Sequence, residues 1–165
     1  MQIGIIGSNE SQCSNELYEF AYTLGAFLGQ KGYTVLNGGM QGTMEAVSKG
    51  VKSIGDTKSK VVGVLPFEDA KKANKYLDIT IPTGIGFARN SVLVLSSDIL
   101  IALGGGAGTL NEISYAWQFG KKVFCYTGVE GWSKRLAGQN LDDRKEGLLV
   151  GFNSIEELCK LLTND

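Results

Sequence analysis

The chain is 165 residues long, enough to bury a full core, and carries 16 Lys and Arg against 17 Asp and Glu, a net charge of −1. That balance gives no bulk attraction toward nucleic acid or a membrane surface, so neither is expected as a partner. The absence of histidine excludes histidine general bases, histidine triads and histidine metal ligands.

From the start of the chain, short apolar runs alternate with helix-length segments. Ile3–Ile6 reads as a strand and is followed by the polar turn Gly7-Ser8-Asn9. Asn15–Lys31 carries Leu17, Phe20, Ala21, Leu24 and Leu28 at three- and four-residue spacing, the stripe of a core-facing helix. Thr34–Leu36 is the second strand, and the turn from Asn37 to Thr43 leads into a helix over Gly42–Ile54. Val61–Leu65 is a third strand, and Glu68–Lys75 is charged, as befits a surface loop or short helix. Ile79–Ile81 is a weaker strand that Pro82 would end. A helix is expected over Gly86–Ser96, a strand over Ile99–Leu103 and a helix over Thr109–Phe119. Strands at Val123–Tyr126 and Leu148–Val150 and a helix at Ser154–Leu162 complete the series, while Gly128–Glu146 has no clear pattern.

Strands that are continuous apolar runs, separated by helices, predict a parallel sheet covered on both faces. The expected fold is α/β, a Rossmann-like doubly wound sandwich whose mainly parallel sheet has about six to seven strands, in one domain. No repeat, linker or low-complexity tract interrupts it. Cys13, Cys125 and Cys159 are odd in number and widely spaced, without a zinc pattern, so reduced thiols are expected. Neither a signal peptide nor an apolar stretch of membrane-spanning length is visible, and a cytoplasmic location follows as the expectation.

The glycines concentrate where such a sheet binds ligands, at the carboxyl ends of its strands. One turn holds Gly7 and Ser8, a second holds Gly38, Gly39, Met40 and Gly42, and the third is Gly104-Gly105-Gly106-Ala107-Gly108-Thr109. Glycine lets a phosphate approach the backbone, and a helix N-terminus adds partial positive charge. Each turn alone could be a plain tight turn; together they predict a pocket for a phosphorylated small molecule. The dinucleotide fingerprint G-x-G-x-x-G and the P-loop pattern are both missing, which argues against NAD oxidoreductases and ATPases. Arg89 and Asn90 would project from the first turn of their helix, where the guanidinium could hold phosphate or pair with Glu112. Thr109 to Glu112 also reads as a T-x-x-E capping box, in which Glu112 would return to the Thr109 backbone N–H. No metal site is expected.

These residues resemble the lysine-decarboxylase-like group that includes the Lonely Guy cytokinin-activating phosphoribohydrolases and the molybdenum-cofactor carrier proteins. The resemblance runs from Ile3 to Val123. Its strongest element is the pattern P-G-G-x-G-T-x-x-E, matched by Gly104 to Glu112 with Gly104 in the proline place. The Gly38-to-Met44 turn is similar to the family's G-G-x-x-G-x-M, and Gly7-Ser8, Gly63 to Pro66 and Arg89 add support. The chain departs from the phosphoribohydrolases at Asn90, where they carry lysine, and at Asn111, where they carry an acid. In form it is closer to the cofactor-carrier branch.

The resemblance implies a protein that binds a phosphorylated nucleotide or nucleotide-like cofactor, the molybdenum cofactor among the candidates; no cofactor is expected to be required. The alternative is a nucleoside 5′-monophosphate phosphoribohydrolase releasing free base and ribose 5-phosphate. In that case Glu112 and Arg89 are the catalytic residues, with the carboxylate beside the ribose C1′. Family members are commonly dimers or larger, so a homodimer or higher homo-oligomer is expected. Phe87–Leu95 could supply its interface or simply pack in the core.

Overall fold

A computed structural model describes residues 1–144 and 146–163. The strands are β1 (Gln2–Gly7), β2 (Thr34–Asn37), β3 (Val61–Leu65), β4 (Ile79–Pro82), β5 (Ile99–Leu103), β6 (Val123–Tyr126) and β7 (Leu149–Phe152). The helices are α1 (Asn15–Gln30), α2 (Thr43–Lys52), α3 (Arg89–Leu95), α4 (Ala107–Gln118), α5 (Trp132–Leu136) and α6 (Ile155–Thr163). Among the described residues no helix is long and apolar enough to cross a membrane.

The strands form one seven-stranded sheet in the order β4-β3-β2-β1-β5-β6-β7. Every pair in it is parallel. The chain winds outward from β1 through β4, then crosses back to start the other half at β5. The sheet's direction of winding therefore reverses between β1 and β5, which pair from Ile3↔Ile99 to Gly7↔Leu103. A crevice opens at such a switch point because the connections leaving the two strands go to opposite faces.

Alternation along the central strands sends side chains to two cores. Ile3, Ile5, Ile101 and Leu103 pack with Leu17, Leu24 and Leu28 of α1 and Val47 of α2. Ile6, Leu100 and Ala102 pack on the other face with Leu93 of α3 and Ile113 and Trp117 of α4. Ser14 caps α1, its hydroxyl accepting from Leu17 N at 3.2 Å.

Several boundaries differ from the sequence reading. The helix expected over Gly86–Ser96 is a 3₁₀ turn at Gly86–Ala88 followed by α3, because Gly86 has φ of +59° and cannot sit in an α-helix. The charged stretch 68–75 contains a 3₁₀ turn at Ala70–Lys72. Within the unassigned segment, Trp132–Leu136 forms α5. The third glycine turn ends sooner than expected, and α4 begins at Ala107 rather than Thr109.

Candidate functional site

The three glycine turns meet at the switch point, and Ser8 stitches them together. Ser8 N donates to Leu103 O at 3.1 Å, and its own carbonyl accepts from both Thr43 N and Thr43 Oγ1 at the start of α2. The Ser8 hydroxyl accepts from Gly105 N at 2.9 Å. Ser8 is thus a buried joint between turns. Gly7 leaves room for this junction: a Cβ there would lie 2.5 Å from Leu103 O and 2.9 Å from Thr43 Oγ1.

The third turn is held from both sides. Gly104 and Gly105 have φ of +63° and +89°, a region open to glycine. Ser133 of α5 accepts from Gly104 N at 2.8 Å and donates to Tyr126 O at 2.7 Å. Backbone N–H groups of Trp132 and Ser133 donate to Gly105 O and Gly104 O. The chain therefore reaches Gly106, the residue before α4, with its direction already set.

Because α4 starts at Ala107, the first-turn N–H groups of Ala107, Gly108 and Thr109 lack intrahelical acceptors and carry the positive end of the helix dipole. The same shift corrects the capping-box expectation. Thr109 is the third residue of α4 and Gly106 its N-cap, so Glu112 lies a turn inside the helix. Glu112 Oε1 instead accepts from Arg89 Nη1 at 2.9 Å. Both side chains are nearly enclosed, at 7% exposure for Arg89 and 8% for Glu112. Burial pushes the Glu112 carboxyl up to about 7, with the Arg89 charge and hydrogen bond pulling the other way. Arg89 Nε has no hydrogen-bond partner although it is buried. Asn90, the next residue of α3, donates from Nδ2 to Asn111 Oδ1 at 2.8 Å, so the two departures from the phosphoribohydrolase pattern touch each other as a neutral pair.

These groups surround a cavity of about 320 Å³. Of the residues expected from the sequence, Gly7, Gly38, Met40, Arg89, Asn90, Gly106, Gly108, Thr109 and Glu112 line it. Gly38 makes room for the arginine, since a Cβ there would stand 2.5 Å from Arg89 Nη2. Ser8 and Gly105 line a shallower depression on the far side of Gly106, beside Trp132 and Arg135. Gly39 and Gly42 shape the second turn without lining the cavity. That turn is pinned by Asn37, whose Oδ1 accepts from Gly39 N at 2.8 Å, and by Asn74, whose Nδ2 donates to Met40 O at 2.9 Å.

Asn9, Gln12, Phe87 and Ala107 also line the cavity and were not among the binding residues expected from sequence, although Ala107 lies in the third turn and Phe87 opens the segment read as interface or core. Phe87 stood beside Arg89 in an uncharged segment, the one signal that could have drawn notice. Asn74 and Ser133 carried none, because each acts across a long stretch of chain. Among the described residues, no group of three or more His, Cys, Asp or Glu is placed to hold a metal ion. Chemically, the cavity can grip an anion through backbone N–H groups and a guanidinium, and it holds one carboxyl poised to take or release a proton near neutrality.

A single parallel sheet with the Gly104-to-Glu112 segment at its switch point makes this an α/β protein of Rossmann-like fold, and the family match puts it in the Lonely Guy-like class. Within that class the chain belongs to the SLOG cluster4 family, whose model matches residues 1–159. A molybdenum cofactor binding protein from Rippkaea orientalis is similar over 99% of this chain and 95% of its own, with 33% identity and a TM-score of 0.86. The molybdenum cofactor carrier protein of Chlamydomonas reinhardtii is similar over 99% of this chain and 96% of its own, with 27% identity and a TM-score of 0.83. The cytokinin riboside 5′-monophosphate phosphoribohydrolase of Mycobacterium tuberculosis is 33% identical over 108 residues, 64% of this chain and 56% of that enzyme.

Proposed function

We propose that the protein binds a phosphorylated, nucleotide-like small molecule of the molybdopterin type, with its phosphate at the N-terminus of α4. One observation carries this reading. The first turn of α4, where the N–H groups of Ala107, Gly108 and Thr109 lack intrahelical acceptors, lines the same cavity as the Arg89 side chain. A phosphate oxygen is an acceptor of the right charge for a helix N-terminus and a guanidinium. The likeness to the two molybdenum cofactor proteins supports the choice of ligand class. A molybdopterin-type ligand fits the residues present: Arg89 and the α4 backbone would hold its phosphate, and the ligand would carry molybdenum on its own sulfur atoms.

Gly108 tests the reading. A Cβ at this position meets no atom within 4 Å, so Gly108→Ala would fold unhindered and would place a methyl group where the phosphate approaches. Calorimetric titration with inorganic phosphate should show binding to the wild type and about tenfold weaker binding to the variant, with no loss of melting temperature. Equal binding by both proteins would place the anion elsewhere.

A second reading, hydrolysis of the N-glycosidic bond of a nucleoside 5′-monophosphate, draws on Glu112 lining the cavity instead of capping its helix. Free base and ribose 5-phosphate released from a nucleotide panel by the wild type but not by Glu112→Gln would establish it. Carriage without chemistry predicts no release. Self-association is part of the proposal as well: Val92 and Leu95 on one face of α3 are 38% and 55% exposed, and Phe119 at the end of α4 is 41% exposed. Exposed apolar side chains of this kind suit burial against a second copy.

A further inference from the structure

Beside the cavity, between α3 and α4, lies a second groove of about 370 Å³. It shares Phe87, Asn90, Ala107 and Gly108 with the cavity and adds Asn111 and Tyr115, so the two spaces adjoin at the first turn of α4. We infer that this groove seats the planar heterocycle of the ligand, an inference that rests on the phosphate position proposed above.

Three features of the groove select that occupant. First, none of its lining side chains is ionised, so it is unsuited to a second phosphate and suited to a neutral ring. Second, its walls are aromatic. Phe87 is 81% exposed on its 3₁₀ turn, a cost in water that a stacked ring would remove, and Tyr115 is steadied by stacking on Phe119 at 5.8 Å and 5°. Third, the Asn90–Asn111 pair offers paired polarity. With Asn90 Nδ2 donating to Asn111 Oδ1 at 2.8 Å, Asn90 Oδ1 remains as an acceptor and Asn111 Nδ2 as a donor. Turning both amides over exchanges these roles and still leaves one of each. Asn90 is 2% exposed, so the pair is held rigidly at the groove's floor. A heterocycle with adjacent donor and acceptor atoms on its edge, as in a pterin or a purine base, completes both amides.

The test titrates the full chain with inorganic phosphate, ribose 5-phosphate and guanosine 5′-monophosphate, whose 2-amino-4-oxopyrimidine ring is shared with pterins. The wild type should bind the nucleotide about tenfold or more tighter than ribose 5-phosphate, the scale of one stacked base. In Asn111→Ala and Phe87→Ala that ratio should collapse toward one. Equal affinity of the wild type for the nucleotide and ribose 5-phosphate, or an unchanged ratio in both variants, would overturn the heterocycle subsite alone. Failure of the wild type to bind either inorganic phosphate or ribose 5-phosphate would overturn the phosphate position and this inference with it. Dissociation of an oligomer by Phe87→Ala, seen by sedimentation, would show that the groove is an interface between copies and would also overturn it.

Discussion

Glu112 is a buried carboxyl whose ionisation is costly. Its carboxyl is enclosed, and a single guanidinium hydrogen bond does not replace the water it has lost. Its protonation is therefore coupled to folding, and the sign can be stated. The folded protein keeps the proton up to about 7, whereas the unfolded chain releases it near 4.5. Between those values the native state binds more protons than the unfolded state, so this group's contribution to stability is present below the window and is lost as pH rises through it. Urea unfolding of wild type and Glu112→Gln across pH 4.5 to 7.5 measures the effect. The wild type should lose stability relative to the variant by about 3 kcal/mol over the window, with no further change above it. Asp78, held below its usual range despite its burial by Lys52 and Val61 N, titrates in both proteins and cancels in the difference. Parallel stability profiles would mean that Glu112 is ionised throughout.

At the scale of elements, the third glycine turn depends on a helix that belongs to neither strand bordering the crevice. α5 supplies Ser133, which is fully buried and joins Gly104 N to Tyr126 O through one hydroxyl. Ser133→Ala removes both bonds and leaves a buried N–H and a buried carbonyl short of a partner. The expected cost is about 1–3 kcal/mol in thermal or urea unfolding. Affinity for inorganic phosphate should fall as well, because the turn that aims α4 is then held only by the backbone bonds from Trp132 and Ser133. A variant that loses stability but binds phosphate as tightly as the wild type would show that the turn keeps its shape without the hydroxyl.

For the whole molecule, the proposed self-association rests on Leu95 and its neighbours. Leu95 is 55% exposed on α3, and Val92 on the same helix face and Phe119 at the end of α4 are exposed as well. Leu95→Glu should convert the oligomer to monomer in sedimentation equilibrium while leaving the circular dichroism spectrum unchanged. A wild type that sediments as a monomer at micromolar concentration would sink the idea.

Much of this architecture was legible in the order of residues along the chain. Apolar runs such as Ile99–Leu103 and the α1 stripe from Leu17 to Leu28 have local periods, and local periods survive without tertiary context. The glycine turns were legible for the same reason, as each is confined to a few residues behind a strand. The start of α4 was misread because Thr109 and Glu112 fit a local capping pattern. Two left-handed glycines and the Ser133 bond instead bring the chain into helix at Ala107. α5 was missed because it is five residues long and its weight lies in contacts with distant turns.

By itself, then, the sequence determined a parallel α/β sandwich with phosphate-type turns at the carboxyl ends of its strands, since hydrophobic period and glycine placement are properties of neighbouring residues. Tertiary structure alone decided that Glu112 pairs with Arg89 instead of closing its own helix, that Asn90 meets Asn111, and that Ser8 joins all three turns. Those outcomes depend on which side chains the crossing from β4 back to β5 brings within hydrogen-bond reach, and on burial, which sets the charge of a carboxyl only once water has been excluded from it.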